Sequence, residues 1–207
     1  MKKNKKSKNW VIKKNNDIFF RQSKIQGYRS RSAFKLIEIN EKFKFIKKNH
    51  KLLDLGSSPG GWSQIASSIA TGGKILSIDI KEMEKIDGVD FIKGDFNEEK
   101  NIDKINSYFN SGADVVLSDM AANTSGNKSN DSYITGQLCL NAMDLSVKIL
   151  KPGGIFLSKI FMGSIFKEIN EKAKRSFKKV IRFKPLSSKK ESKELYIFCK
   201  GVLKYDK

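Results

Sequence analysis

Short apolar segments alternate with helical segments along most of this chain, and this alternation limits the possible folds more than any other feature. The apolar segments, interpreted as strands, span residues 51–55, 74–80, 89–93, 114–119, 154–162, 178–183 and 193–200. Between several of them apolar residues recur every three or four positions, as they do from Ile134 to Ile149. Strands that alternate with helices predict an α/β fold, a doubly wound and mostly parallel sheet with helices on both faces.

The first predicted strand ends in a glycine-rich turn, DLGSSPGGWSQ at residues 54–64. Gly60 and Gly61 allow backbone amides at the start of the next helix to approach a ligand closely. The G-x-x-x-G-G spacing differs from the G-x-G-x-x-G of dinucleotide sites, and no G-K-[ST] for a triphosphate is present. The turn therefore indicates a nucleotide-like ligand without a pyrophosphate, and the acid at Asp54 suits a ligand that carries a positive charge.

Three acidic residues follow or end the first three predicted strands: Asp54, Asp79 and Asp95. In a parallel sheet, ligands bind at the carboxyl ends of the strands. An acid at position 79 can accept hydrogen bonds from ribose hydroxyls, and Asp95 can accept one from an adenine amino group. Each acid alone could simply end a strand or cap a turn. Together with the glycine turn, they predict a pocket for S-adenosylmethionine.

Lys159 interrupts an otherwise apolar strand, so its side chain must be paired, reach water or serve a function. Asp119 ends the fourth predicted strand, which is usually next to the fifth in this kind of sheet. Glu194 opens the last predicted strand, and it lies at the same edge if that strand is antiparallel. We therefore expect these three groups to lie close together.

The charge of the chain favours an anionic polymer as partner. Its 41 Lys and Arg against 22 Asp and Glu give a formal net charge of +19. Basic residues concentrate in residues 1–24 and 172–190, which we interpret as phosphate-facing surfaces. The Lys-rich composition could also reflect a bias of the whole genome, and a solvated charged face remains an alternative for any single lysine.

Composition also limits the domain structure and the location. We predict one domain over residues 15–207, preceded by a basic tail at residues 1–14 that is not expected to be ordered. No apolar run is long enough for a membrane span and no export signal is apparent, so we expect a cytoplasmic protein without a membrane partner. Cys139, Cys199 and His50 are too isolated in sequence to form a metal site, and we expect the two thiols to be buried and reduced.

Five motifs in the expected order resemble the FtsJ/RrmJ family of ribose 2′-O-methyltransferases. They are RSRSAFKL at residues 29–36, DLGSSPGGWSQ at 54–64, LSDMA at 117–121, SKIF at 158–161 and SKELYI at 192–197. The resemblance covers nearly everything after residue 15. It implies a Rossmann-like methyltransferase fold with a seven-stranded sheet whose last strand is antiparallel, and S-adenosylmethionine as cofactor.

The resemblance also implies roles for individual residues. The catalytic tetrad of the family falls on Lys35, Asp119, Lys159 and Glu194. Its cofactor contacts fall on Gly60, Trp62, Asp79, Asp95 and Asp119, and no metal is implied. We expect Lys159 to accept the proton of the hydroxyl, because a neighbouring ammonium at Lys35 disfavours a second positive charge there.

The single-domain layout is most similar to the bacterial members that methylate a uridine ribose in 23S ribosomal RNA, which implies the large ribosomal subunit as partner. Three alternatives remain: a related enzyme acting on transfer RNA or an mRNA cap, a non-catalytic RNA-binding protein of ribosome assembly, and a nicotinamide-dependent oxidoreductase. The glycine spacing disfavours the last, and the intact tetrad disfavours the second.

Overall fold

The computed structural model describes residues 17–122 and 125–203, so the predicted tail at residues 1–14 lies outside the described part. Seven strands form one sheet in this part: β1 (Lys51–Leu55), β2 (Lys74–Asp79), β3 (Val89–Lys93), β4 (Ala113–Ser118), β5 (Leu150–Phe161), β6 (Phe177–Phe183) and β7 (Glu194–Val202). Six helices accompany them: α1 (Ile18–Ile25), α2 (Ala33–Phe43), α3 (Gly61–Ile69), α4 (Glu99–Tyr108), α5 (Lys128–Ile149) and α6 (Phe166–Ser176).

The strands are ordered β3-β2-β1-β4-β5-β7-β6. Strands β1 to β5 pair in parallel, whereas β7 runs antiparallel to both of its neighbours. The prediction of a mostly parallel sheet with an antiparallel last strand is therefore confirmed. Because β1 to β5 are parallel, their carboxyl ends share one edge of the sheet, and the antiparallel β7 begins at that edge.

Apolar side chains cover both faces of the sheet. One face packs under α4, α5 and α6, with residues such as Ile105, Met143 and Ile169 in its core. The other packs under α2 and α3, with Leu36 and Trp62 against the sheet. Both clusters are buried, as expected for central parallel strands, which expose neither face to water.

The helix that carries Lys35 begins later than predicted. The spacing of apolar residues in the sequence predicts a helix over residues 28–42 with Ser30 as its cap, but α2 begins at Ala33. Ser30 and Ser32 instead share a hydrogen bond between their hydroxyls at 2.6 Å, and the Ser30 carbonyl accepts from the Ala33 amide at 3.2 Å. This turn packs closely on the start of α3, because a Cβ added at Gly61 would lie 2.1 Å from the Ser30 hydroxyl.

Candidate active site

The strand ends gather the predicted polar residues at one edge of the sheet. Asp54 lies in β1, Asp79 ends β2, and Asp119 directly follows β4. Lys159 lies near the end of β5 and pairs in register with Tyr196 of β7, while Phe161 pairs with Glu194. Because paired residues of an antiparallel ladder point to the same face, Lys159, Glu194 and Tyr196 share the face that α2 covers.

Lys159 and Asp119 form an ion pair. The Lys159 ammonium lies 3.1 Å from Asp119 Oδ1 and also donates to the backbone carbonyl of Asp119. The side chain of Lys159 is 9% exposed and that of Asp119 is 17% exposed. The pairing accounts for a lysine within an apolar strand, because a buried ammonium needs a partner of opposite charge.

Lys35 and Glu194 form a second ion pair at the same edge. The Lys35 ammonium lies 2.7 Å from Glu194 Oε1 and 2.8 Å from Oε2, and both side chains are about a tenth exposed. The Ser188 hydroxyl donates to Oε1 at 2.7 Å. Helix α2 thus places Lys35 above the first residue of β7, so that the ammonium of Lys35 faces Glu194.

Tyr196 connects the two ion pairs. Its hydroxyl donates to Asp119 Oδ1 at 2.7 Å, and the Lys35 ammonium lies 5.8 Å from the centre of its ring. The ring also packs against Trp62, with 5.6 Å between ring centres. Tyr196 is not among the predicted site residues, although it lies two residues after Glu194 and therefore shares its face of the strand.

The two ammonium groups act on the carboxylate between them. Burial alone raises the pKa of Asp119, but the charges of Lys159 and Lys35 and the hydrogen bond from Tyr196 hold this pKa below its usual value. Burial and the charges of Asp119 and Glu194 raise the pKa of Tyr196 well above its usual value. At neutral pH the site therefore contains an ionised Asp119 that accepts hydrogen bonds from the neutral phenol of Tyr196 and from the Lys159 side chain.

The predicted cofactor acids lie on the neighbouring strands. Asp79 accepts from the Ser58 and Lys81 backbone amides, both at 2.8 Å, and is half-buried. Asp95 accepts from the Asn97 amide at 2.9 Å through Oδ1, while its Oδ2 accepts no hydrogen bond from the described residues. Each carboxylate is fixed by the local backbone and retains lone pairs for a ligand.

Gly60 and Trp62 could contact a ligand only through their backbones. Gly60 has a φ of +105°, and an added Cβ would lie 2.8 Å from Ile86 Cδ1 and 3.0 Å from Arg29 Cδ, so a side chain would be strained and crowded there. The Trp62 indole is buried and donates to the Ser32 carbonyl at 2.9 Å. A cofactor contact by Trp62 must therefore come from its backbone amide in the first turn of α3.

The surroundings of Asp54 suit a positively charged ligand. It is 1% exposed and accepts from the Ser63 hydroxyl at 2.6 Å. Burial, followed by the charges of Asp119 and Asp79, raises its pKa to about 7. Three carboxylates therefore act on one another around the first strand end, and a cation there would relieve their repulsion.

Other expectations concern surfaces and metals. The basic segment 172–190 is largely exposed along α6, β6 and the following loop, whereas most of the N-terminal basic cluster precedes the described residues.

Cys139 and Cys199 are buried free thiols. Residues 17–122 and 125–203 contain neither a cluster of potential metal ligands nor a helix long and apolar enough to cross a membrane.

Comparison with known proteins adds independent information. The sequence matches the FtsJ-like methyltransferase family over residues 28–202. It is 52% identical over 200 residues to ribosomal RNA large subunit methyltransferase E of Pelagibacter ubique, a match that covers 97% of this chain and 98% of that protein. The protein of the same name from Rickettsia akari is 45% identical over 197 residues, covering 92% and 87%. A crystal structure assigned as a ribosomal RNA methyltransferase of Plasmodium falciparum superposes with a TM-score of 0.75 at 34% identity, covering 85% of this chain and 99% of that one.

Proposed function

Because the chain belongs to the FtsJ-like methyltransferase family, we propose that it transfers a methyl group from S-adenosylmethionine to a ribose 2′-hydroxyl of large-subunit ribosomal RNA, at a uridine. The observation that carries this proposal is the convergence of the Lys159–Asp119 and Lys35–Glu194 ion pairs at the edge that also holds Asp79 and the glycine turn. The names of the relatives support ribosomal RNA of the large subunit as substrate.

The residues around the glycine turn fit the cofactor. Asp79 would accept hydrogen bonds from its ribose hydroxyls, and the unused oxygen of Asp95 would accept from its adenine amino group. The backbone at Gly60 and Trp62 would border the nucleoside, and the carboxylates of Asp54 and Asp119 favour its positive charges. When bound, S-adenosylmethionine supplies a methyl group that is activated by the adjoining sulfonium.

The protein's own residues would prepare the hydroxyl. In the overall reaction the 2′-oxygen forms a bond to the methyl carbon, the bond from that carbon to sulfur breaks, and the hydroxyl loses its proton. Lys159, in its neutral form, would accept this proton, and Asp119 would orient the amine and stabilise the ammonium that results. Lys35 and Glu194 would hold the ribose, and alignment of the two reactants would supply much of the rate.

Phosphate contacts would complete substrate binding. The basic N-terminal segment, residues 1–24, and the basic segment 172–190 supply positive charge for the RNA backbone. We propose a cytoplasmic location for the protein, as follows from a bacterial ribosomal substrate. Neither a metal ion nor a membrane is part of the proposed reaction.

The decisive assay compares Lys159→Ala with the wild-type protein. We expect methyl transfer to fall by about 100- to 10,000-fold, as is typical for loss of a general base, while the affinity for S-adenosylmethionine stays near the wild-type value. Lys104→Ala is the matched control, because Lys104 is an exposed lysine on α4, which packs on the face of the sheet opposite to α2. Wild-type turnover in Lys159→Ala would exclude Lys159 as an essential group.

The same assay should use large ribosomal subunits, free ribosomal RNA, transfer RNA and capped mRNA as separate substrates. Ribose methylation can be located by resistance of the modified linkage to alkaline cleavage. Transfer only to transfer RNA or to caps would replace the proposed substrate while retaining the reaction. RNA binding without transfer to any of these substrates would favour an assembly protein.

A further inference from the structure

A cavity of about 330 Å³ lies at the opposite edge of the sheet, where β1, β4 and β5 begin and β7 ends. Its lining combines an aromatic and aliphatic floor with basic side chains. Phe43 stacks on Phe198 at 4.4 Å between ring centres. Five lysines line the cavity: Lys44, Lys47, Lys151, Lys179 and Lys200.

The positive charge of this cavity is largely uncompensated. Its one lining carboxylate, Asp114, already pairs with Lys151 at 3.0 Å and accepts from the Lys51 amide at 2.8 Å. Within residues 17–122 and 125–203, the other four lysines have no carboxylate partner. Lys179 and Lys200 also lie directly opposite each other in the β6–β7 ladder, an arrangement in which like charges repel. A bound anion would relieve this repulsion.

His50 adds a hydrogen-bond donor to the lining. Its Nδ1 accepts from the Lys47 backbone amide at 3.3 Å, so in the neutral ring the proton is on Nε2, which can donate to a ligand. Burial lowers the pKa of His50. The charges of Lys47 and Lys151 lower this pKa further, and only the charge of Asp114 raises it. An anion in the cavity would therefore raise the pKa of this ring.

The position of the cavity connects it to the catalytic tetrad. Tyr196 and Lys200 lie on the same face of β7, four residues apart, which corresponds to roughly 13 Å along a strand. Helix α2 spans the same interval, with Lys35 near one end and Phe43 at the other. A nucleic-acid strand advances about 3.4 Å per nucleotide in a helix, so roughly four nucleotides would reach from one place to the other.

We propose that this cavity binds a phosphate group of the substrate RNA a few nucleotides from the methylated ribose, an assignment that rests on the proposed function for the identity of the polymer. Lys44, Lys47, Lys179 and Lys200 are exposed. Exposed lysines hold a single small anion weakly, because water and salt screen each charge. A polymer that contacts several of them at once gains from every released counterion, which favours RNA over free phosphate.

The first test is the salt dependence of RNA binding. The double variant Lys179→Gln/Lys200→Gln removes the two opposed charges, and Lys104→Gln/Lys148→Gln removes two exposed lysines on α4 and α5 as a matched control. Because the cavity is proposed to hold one phosphate, we expect the slope of log affinity against log salt to decrease in magnitude by about 0.7 to 0.9 for the first variant and to stay at the wild-type value for the control. Thermal unfolding verifies that both variants are folded.

The second test uses His50, the only histidine of the chain, as a local probe. We expect a short oligouridine to shift the imidazole NMR signals of the wild-type protein and to raise the pKa of the ring, with a much smaller effect in Lys179→Gln/Lys200→Gln. Inorganic phosphate at matched ionic strength serves as the second ligand.

The outcomes separate the cavity from the proposed reaction. Unmoved His50 signals together with an unaltered salt slope overturn the assignment, even where the protein methylates RNA. A response to inorganic phosphate but not to RNA also overturns it, because the cavity is then a small-anion site. RNA binding at the cavity by a protein that methylates no RNA supports the assignment and overturns the proposed function.

Discussion

Replacing Asp54 with asparagine should change the pH dependence of stability in a calculable way. Burial raises the pKa of Asp54 from 3.8 to about 7 in the folded protein. Between these two pH values the folded protein keeps the proton of Asp54 and the unfolded chain releases it. Stability from this group is therefore full at low pH and decreases as pH rises through the window.

The size of the effect follows from the width of the window. A difference of roughly three pKa units corresponds to about 4 kcal/mol of unfolding free energy, at 1.36 kcal/mol per unit. Asparagine is nearly isosteric and its amide oxygen can still accept from the Ser63 hydroxyl, but it does not titrate. We expect Asp54→Asn to gain about 4 kcal/mol relative to the wild-type protein between pH 4 and pH 8.

The assay is urea denaturation of the two proteins at closely spaced pH values, with the difference between their unfolding free energies plotted against pH. Titrating groups distant from Asp54 cancel in this difference because the two proteins share them. Asp103→Asn, an exposed acid on α4, is the control and should run parallel to the wild-type protein. Parallel curves for Asp54→Asn as well would refute the buried, protonated Asp54.

Asp54 should also couple cofactor binding to proton release. A positively charged cofactor near Asp54 favours its carboxylate form, so binding at pH 6 should expel up to one proton in the wild-type protein. Calorimetry in buffers of different ionisation enthalpy measures this release directly. Equal heats in all buffers would show that the cofactor's charge does not act on Asp54.

Two further variants test the ion pairs. Tyr196→Phe removes a hydrogen bond to the ionised Asp119, which is worth about 1.5–3 kcal/mol. We therefore expect kcat to fall roughly 10- to 100-fold with little change in cofactor affinity. An unchanged kcat would contradict this role of Tyr196. Glu194→Gln leaves the Lys35 ammonium buried without its counter-charge, and urea denaturation should show a loss of about 3 kcal/mol. Glu171→Gln, on the exposed surface of α6, should change stability far less.

The sheet could be predicted from the sequence because its central strands are buried on both faces and appear as nearly continuous apolar runs. β1 and β3 match the predicted bounds, and the antiparallel β7 follows from the resemblance. Helix starts were less predictable. The serine turn before α2 is fixed by its packing on Gly61, a contact between residues about thirty positions apart that periodicity cannot reveal.

Prediction of the candidate site was also uneven, for a similar reason. Asp119 and Lys159 stand out locally, since one ends an apolar strand and the other interrupts one. Lys35 is one lysine among many, and its partner Glu194 is 159 positions away. Only the family resemblance indicated that pair. The Trp62 indole lies in the core. This could not be predicted, because the sequence alone does not show which way a residue in the first turn of a helix points.

The position of β7 has a consequence for synthesis. This strand lies between β5 and β6, both of which precede it in the chain, and it supplies Glu194 and Tyr196. A nascent polypeptide that has not yet reached Glu194 therefore has no strand to join β6 to the rest of the sheet, and it lacks both Glu194 and Tyr196. If Glu194 and Tyr196 act as proposed, a chain that ends before this strand should not transfer a methyl group, and activity should arise only after β7 has been translated.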